Sequence, residues 1–187
     1  MEYVDPIKDI DNIIAMKKVL EKQSKRDLLL FVFGINTGIR ISDLLSLKVA
    51  DIWDGTKVKE FLCLRDDKND EEKAYYINNS VKCVLNNYLE SLDFTSSDYL
   101  FKSKKNAQPI TRQQAYRIIN HAAKEVGITG KIGTHTLRKT FGYHAYRKGI
   151  AISILMSIYH HHYPAETLRY LGIEKSEEQL IKVDVNL

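Results

Sequence analysis

The eleven residues Thr37, Gly38, Ile39, Arg40, Ile41, Ser42, Asp43, Leu44, Leu45, Ser46 and Leu47 close one apolar helix and open another, with an arginine at the junction. Upstream, Arg26 to Asn36 is mostly apolar and predicts a buried helix. Thr37 and Gly38 end it, because glycine favours a turn over continued helix. Downstream, Ile41, Leu44, Leu45 and Leu47 recur at helical spacing, with Ser42 and Asp43 near the start. Arg40 is therefore expected beside a tight helix junction rather than on a long exposed face.

Working outward, Ile7 to Lys22 carries Ile10, Ile13, Ile14 and Ala15 between charged residues and reads as a short amphipathic helix. On the other side, Val49 to Ile52, Lys57 to Leu64 and Lys73 to Ile77 read as short strands. Asp54 and Gly55 turn the chain between the first two, and the polar run Asp66 to Glu72 turns it between the last two, placing Lys68 at a solvent-facing tip. Helical spacing returns over Ser80 to Leu92, Arg112 to Val126 with Thr111 opening it, Thr134 to Gly149, Ala151 to Tyr159 and Glu166 to Leu171. Phe94 to Pro109 reads as a loop. The expected class is α+β, mostly helical, with a small three-stranded antiparallel sheet.

The 187 residues suit one domain and suffice for a hydrophobic core. A composition of 44% hydrophobic residues with 9 Gly and 3 Pro excludes a fibrous or wholly disordered chain. Cys63 and Cys83 have no metal-like spacing and allow at most one bridge, so a reduced, cytoplasmic setting is the simpler expectation. The apolar run Leu28 to Ile35 is far short of the roughly 20 residues that cross a bilayer.

The formal charge of +4 hides a strong polarity. Between Phe101 and Tyr170 twelve basic residues face two acidic ones, whereas the remainder of the chain holds sixteen basic and twenty-two acidic. A fold that gathers the first group on one side would present a basic face to a polyanion.

Three features carry chemistry: Arg40 at its junction, His135 and Arg138 three apart, and His161 nine residues before Tyr170. The i, i+3 spacing puts imidazole and guanidinium on one side of a helix turn, where both can face a phosphate. Two arginines around one phosphate supply charge-assisted donors to its non-bridging oxygens. A tyrosine hydroxyl becomes a covalent nucleophile once its proton is accepted. Nothing in this set calls for a metal or a cofactor. The triplet His160, His161, His162 sits on one short turn with no Cys or carboxylate cluster to complete a tetrahedral set.

The segment Thr37 to Leu47 resembles the first-arginine box of the tyrosine recombinases, the phage integrase family. His135, Thr136, Leu137, Arg138, Lys139, Thr140, Phe141 and Gly142 resemble its His-x-x-Arg box, and Thr167 to Gly172 its nucleophile segment. The boxes follow the family's order and cover nearly the whole chain, so residues 1–187 are expected to form one catalytic domain. The resemblance implies site-specific DNA recombination, of integrase, excisionase or invertase type, through a 3′-phosphotyrosyl intermediate. Arg40 and Arg138 would clamp the scissile phosphate, Tyr170 would attack it, His135 would assist proton transfer, and His161 would match the second histidine. Lys68 would protonate the leaving 5′-oxygen, with Lys73 as its rival, and Asp43 would support the site. His160 stands where the family commonly has Gly, and His162 and Tyr163 where it often has Ser.

Lys102, Lys104, Lys105, Arg112, Arg117 and Lys139 are the expected phosphate contacts, giving affinity and salt dependence more than base specificity. The implied partners are double-stranded DNA, further copies of the chain on that DNA, and an accessory DNA-bending protein, with the chain at the nucleoid and not in a membrane. Residues 173–187 are expected to form a tail or a helix that packs on a neighbouring subunit. No additional DNA-clamping domain is expected ahead of the first helix. Two alternatives share the fold: a DNA-binding or decoy module without catalysis, and a strand relaxer of the type IB topoisomerase kind.

Overall fold

A computed structural model describes residues 4–66, 71–91 and 93–174. Helix α1 (Ile10–Gln23) starts where the Asp9 carboxylate accepts from the Asp11 amide, and it buries Ile13, Met16 and Leu20. Helix α2 (Lys25–Thr37) is buried along nearly its whole length and ends at Gly38 in the left-handed region, φ 65°. A Cβ at Gly38 would also run into the Phe141 ring, so both the backbone and the space require glycine there. Helix α3 (Ile41–Ser46) follows at once, with Arg40 as its extended N-cap. The helix junction expected at Thr37 to Leu47 is thus present.

The sheet is smaller than expected. Among the described residues the sheet has two strands, β1 (Phe61–Asp66) and β2 (Glu71–Tyr76), which pair antiparallel with Phe61 opposite Tyr76 and Leu64 opposite Lys73. The expected third strand, Val49 to Ile52, is instead the one-turn helix α4 (Val49–Ile52). Val49 and Ile52 are both buried, an i, i+3 pair that one helical turn satisfies, and the Asp51 carboxylate accepts the Lys48 amide at its start. Past α4, Trp53 meets Val58 in a single isolated bridge.

Helix α5 (Asn79–Leu89) is capped by the Asn78 side chain, and α6 (Arg112–Glu125) by a reciprocal Thr111–Gln114 pair. Helix α7 (Thr134–Arg147) carries the His-x-x-Arg segment. Two short helices, α8 (Ile152–Tyr159) and α9 (Pro164–Leu171), close the described chain. Gly34 on α2 leaves no room for a Cβ, which would sit 2.6 Å from Leu137 Cδ1, so α2 and α7 approach almost backbone to backbone. That approach brings the Arg40 junction and Arg138 to one place.

The interior has two parts. The larger cluster joins α1, α2, α3, α5 and α6 with Leu62, Ile77 and Leu137. The smaller is built from Tyr143, Leu155, Tyr159, Leu171 and Ile173, which pack α8 and α9 onto the outer side of α7. An N-terminal strap crosses α7: the Ile7 amide donates to Thr140 Oγ1, His144 Nε2 donates to the Ile7 carbonyl, and the Asp5 amide donates to the Lys131 carbonyl. Among the described residues no helix is long and apolar enough to cross a membrane.

Candidate active site

Arg138 is buried, and both terminal nitrogens of its guanidinium are spoken for by backbone. One donates to the Gly38 carbonyl and the other, at 2.7 Å, to the Ile158 carbonyl. Its guanidinium lies 4.7 Å over the Tyr159 ring, and the Tyr159 hydroxyl donates to the Arg138 carbonyl at 2.9 Å. A planar, permanently charged group held on three sides is pre-organised to meet an anion.

Tyr170, on α9, lies in the field of the same guanidinium. Its ring packs 5.0 Å from Tyr159 and edge-on, 5.3 Å, against His161. Burial raises the phenol above its ordinary value, while the charge of Arg138 opposes this.

His161 is nearly buried, with Nδ1 3.0 Å from Thr167 Oγ1 and Nε2 3.9 Å from a Glu166 carboxylate oxygen. Burial lowers its pKa, Glu166 opposes this, and Arg138 and His162 add to it. His135 stands exposed on the first turn of α7. Desolvation first, then the fields of Arg138, Lys139 and Arg112, lower it as well. Both imidazoles are thereby biased toward the neutral form that can take a proton.

Arg40 is exposed at the N-cap of α3, and Asp43 one turn on accepts from the Ser42 hydroxyl at 3.1 Å. Arg138, Tyr170 and His161 thus gather around Tyr159, the Gly38 carbonyl ties Arg138 to the junction that carries Arg40 and Asp43, and His135 feels the Arg138 charge. Lys68 lies outside the described residues. Lys73 lies on β2, where its ammonium meets His160 Nε2 at 2.5 Å. His160 is the non-glycine residue of positive φ among the described residues, φ 59°, and ends α8 in the left-handed region.

The expected DNA contacts separate. Lys104, Lys105, Arg112 and Arg117 are exposed. Lys102 is half-buried and paired with Asp98 at 2.7 Å. Lys139 is 4% exposed: its ammonium donates to the Val4 carbonyl at 2.8 Å and sits 4.9 Å from the Tyr170 ring centroid. One residue at the site escaped sequence reading, Tyr159, whose ring meets both Arg138 and Tyr170. Among the described residues, no group of three or more His, Cys, Asp or Glu side chains is placed to hold a metal ion.

On a mostly helical frame the protein thus sets Arg138, His161 and Tyr170 beside one another, groups of the kind that phosphoryl transfer to a tyrosine would use. Residues 7–177 match the model of the phage integrase family. The chain is 41% identical over 175 residues to the probable integrase/recombinase YoeC of Bacillus subtilis, covering 94% of this chain and 93% of that protein. The crystal structure of XerA recombinase superposes with a TM-score of 0.73 at 24% identity, over 95% of this chain and 60% of that one. A post-cleavage complex of XerH with a palindromic difH substrate also gives 0.73, at 18% identity, over 94% and 51%. The chain belongs to the phage integrase family, as the catalytic domain of a site-specific DNA recombinase. It spans about half the length of further curated relatives, such as XerA of Pyrococcus furiosus at 51%.

Proposed function

We propose that this chain cuts and rejoins duplex DNA through a covalent link on Tyr170. The Tyr170 oxygen attacks the scissile phosphorus and the bond to the 5′-oxygen breaks. The phenol proton passes toward His135 or His161, and Lys68 returns a proton to the leaving oxygen. The 5′-hydroxyl of the same or another strand reverses the step, so no external energy source is consumed. Arg40 and Arg138 neutralise the non-bridging oxygens, where charge grows in the transition state. The observation that supports this reading is the Tyr159 ring, which lies 4.7 Å from the Arg138 guanidinium and 5.0 Å from the Tyr170 ring and so sets the nucleophile beside the phosphate ligand.

The partners follow from the same reading. Exposed Lys104, Lys105, Arg112 and Arg117 would lie along a duplex backbone. Recombination joins two sites, so further copies of the chain would assemble on DNA, with an accessory DNA-bending protein arranging them at the nucleoid. Of the tail expected over residues 173–187, residues 175–187 lie outside the described residues.

Covalent capture on nicked duplexes drawn from the DNA flanking the gene tests the assignment. The wild-type chain should yield an adduct on a denaturing gel that maps by peptide mass to Tyr170, and Tyr170→Phe should yield none. Salt-sensitive binding without an adduct would favour a binding module of the same fold.

A further inference from the structure

We infer that His160 is a positioning residue for strand cleavage: by accepting the Lys73 ammonium it fastens β2, and with it the hairpin that bears Lys68, to the end of α8 beside His161 and Tyr170. The inference rests on the phosphotyrosyl reading above, in which Lys68 returns a proton to the leaving 5′-oxygen. It gives a role to the position where this chain carries His in place of the family's common Gly.

The backbone points to the side chain. His160 ends α8 at φ 59° and ψ 44°. Two hydrogen bonds close the turn there, from the His161 amide to the Met156 carbonyl at 3.0 Å and from the His160 amide to the Ser157 carbonyl at 3.3 Å. This is a helix end that glycine adopts freely and that any residue with a Cβ adopts under strain. A strained residue persists where its surroundings, or its task, hold it in place.

The imidazole meets Lys73, whose Nζ lies 2.5 Å from His160 Nε2. An ammonium has donors and no acceptor, so Nε2 accepts and the ring is the neutral tautomer with its proton on Nδ1. The pair is exposed to water, where one such contact adds little to the fold. Stability therefore does not account for a strained histidine at this place.

The two sides of the contact both belong to the site. Lys73 stands opposite Leu64 in the hairpin, and Lys68 precedes it by five residues in the connection between β1 and β2. His160 lies between Tyr159, whose ring covers the Arg138 guanidinium, and His161, whose ring packs against Tyr170. A cleft of about 330 Å³ lies between the two elements, with Lys73, Tyr75 and Tyr76 of β2 and Ser157 and Ile158 of α8 in its lining. A two-stranded hairpin takes its position from what it packs against, and the Lys73–His160 contact ties this one to α8. Holding thus falls to Lys73 and proton donation to Lys68. In the step itself the Tyr170 oxygen bonds to phosphorus, the bond to the 5′-oxygen breaks, and that oxygen takes its proton from the Lys68 ammonium. His160 and Lys73 exchange no proton with the DNA.

The test uses the full chain and the same nicked duplexes, with the leaving 5′-oxygen either kept or replaced by sulfur, which departs as a thiolate and needs no proton donor. His160→Gly relieves the left-handed backbone and should melt within a few degrees of wild type. On the oxygen duplex it should slow adduct formation by about three- to tenfold, the range that one hydrogen bond carries. On the sulfur duplex it should match wild type. Lys73→Met should behave in the same way, and the double variant should be no slower than either single one. Lys68→Ala, slowed on oxygen and restored on sulfur, marks the proton-donating step. Equal losses for His160→Gly on oxygen and sulfur would overturn the inference, and so would a wild-type rate on oxygen. A Lys73→Met loss far beyond that of His160→Gly would make Lys73 the proton donor itself and overturn it as well. In each of these cases the phosphotyrosyl reading stands. A Lys68→Ala defect that sulfur does not restore would remove the Lys68 assignment and this inference with it, whereas a wild-type chain that forms no adduct on either duplex would bring down the phosphotyrosyl reading itself.

Discussion

Lys139 and Tyr170 meet where α7 faces α9, with the ammonium 4.9 Å from the centre of the phenol ring and tied behind to the Val4 carbonyl. The N-terminal strap therefore reaches Tyr170 through one buried cation. Lys139→Met keeps the length of the side chain and removes the charge. It should lower stability by about 1 to 3 kcal/mol, from the lost charged hydrogen bond and cation–ring contact. Denaturant midpoints would show this. The slope of DNA affinity against salt should not change, whereas loss of a phosphate contact would reduce it by about 0.9.

Gly142 on α7 has no room for a side chain. A Cβ there would overlap the Tyr159 hydroxyl and come within 2.6 Å of Leu171 Cδ2. Gly142→Ala should push α8 and α9 off α7 at a cost of about 1 to 3 kcal/mol. Adduct formation should fall far more than duplex binding, because Arg112 and Arg117 stand on a different helix. Parallel losses of adduct and binding would count against this separation.

The two site histidines give a signed pH dependence. Both have folded pKa values below the ordinary value of 6.5, chiefly from desolvation. As pH falls through about 6.5, the unfolded chain takes up these protons first, so stability declines and then levels off below the folded values. Thermal melts from pH 8 to pH 5 should show this loss. His161→Gln should reduce it, since that side chain is nearly buried, and His135→Gln should change it less.

On α6, the substitutions Arg112→Gln and Arg117→Gln remove exposed charges. Each should weaken duplex binding similarly across sequences and reduce the salt slope by about one. Lys102→Gln should change the slope less, because its ammonium already pairs with Asp98.

What could be read from the sequence is what local chemistry determines. The junction at Thr37 to Leu47 was legible because a glycine stop, an apolar period and a second apolar period lie within one short stretch. The Thr111 cap on α6 was legible for the same reason. Val49 to Ile52 was misread because four residues with two buried ends fit a strand or a helical turn equally well, and the Asp51 cap decides between them. The boxes gave the expectation that Arg40, Arg138 and Tyr170 share one site. Tyr159 was missed because its partners, Arg138 on α7 and Tyr170 on α9, are set beside it by packing rather than by any local motif. Lys139 looked like a surface cation because nothing local shows the N-terminal strap lying over it.

Among the described residues the smaller hydrophobic cluster consists of five buried side chains against the thirty of the larger one, and it forms the apolar seat of α8 and α9. Free energies of local opening follow such differences in buried contact, so this corner should exchange its amides and fray at temperatures the main core withstands. Tyr170 and His161 ride on that corner, while Arg40, Arg112 and Arg117 do not. On warming, the protein should therefore fall silent as a DNA cutter while still able to hold its duplex.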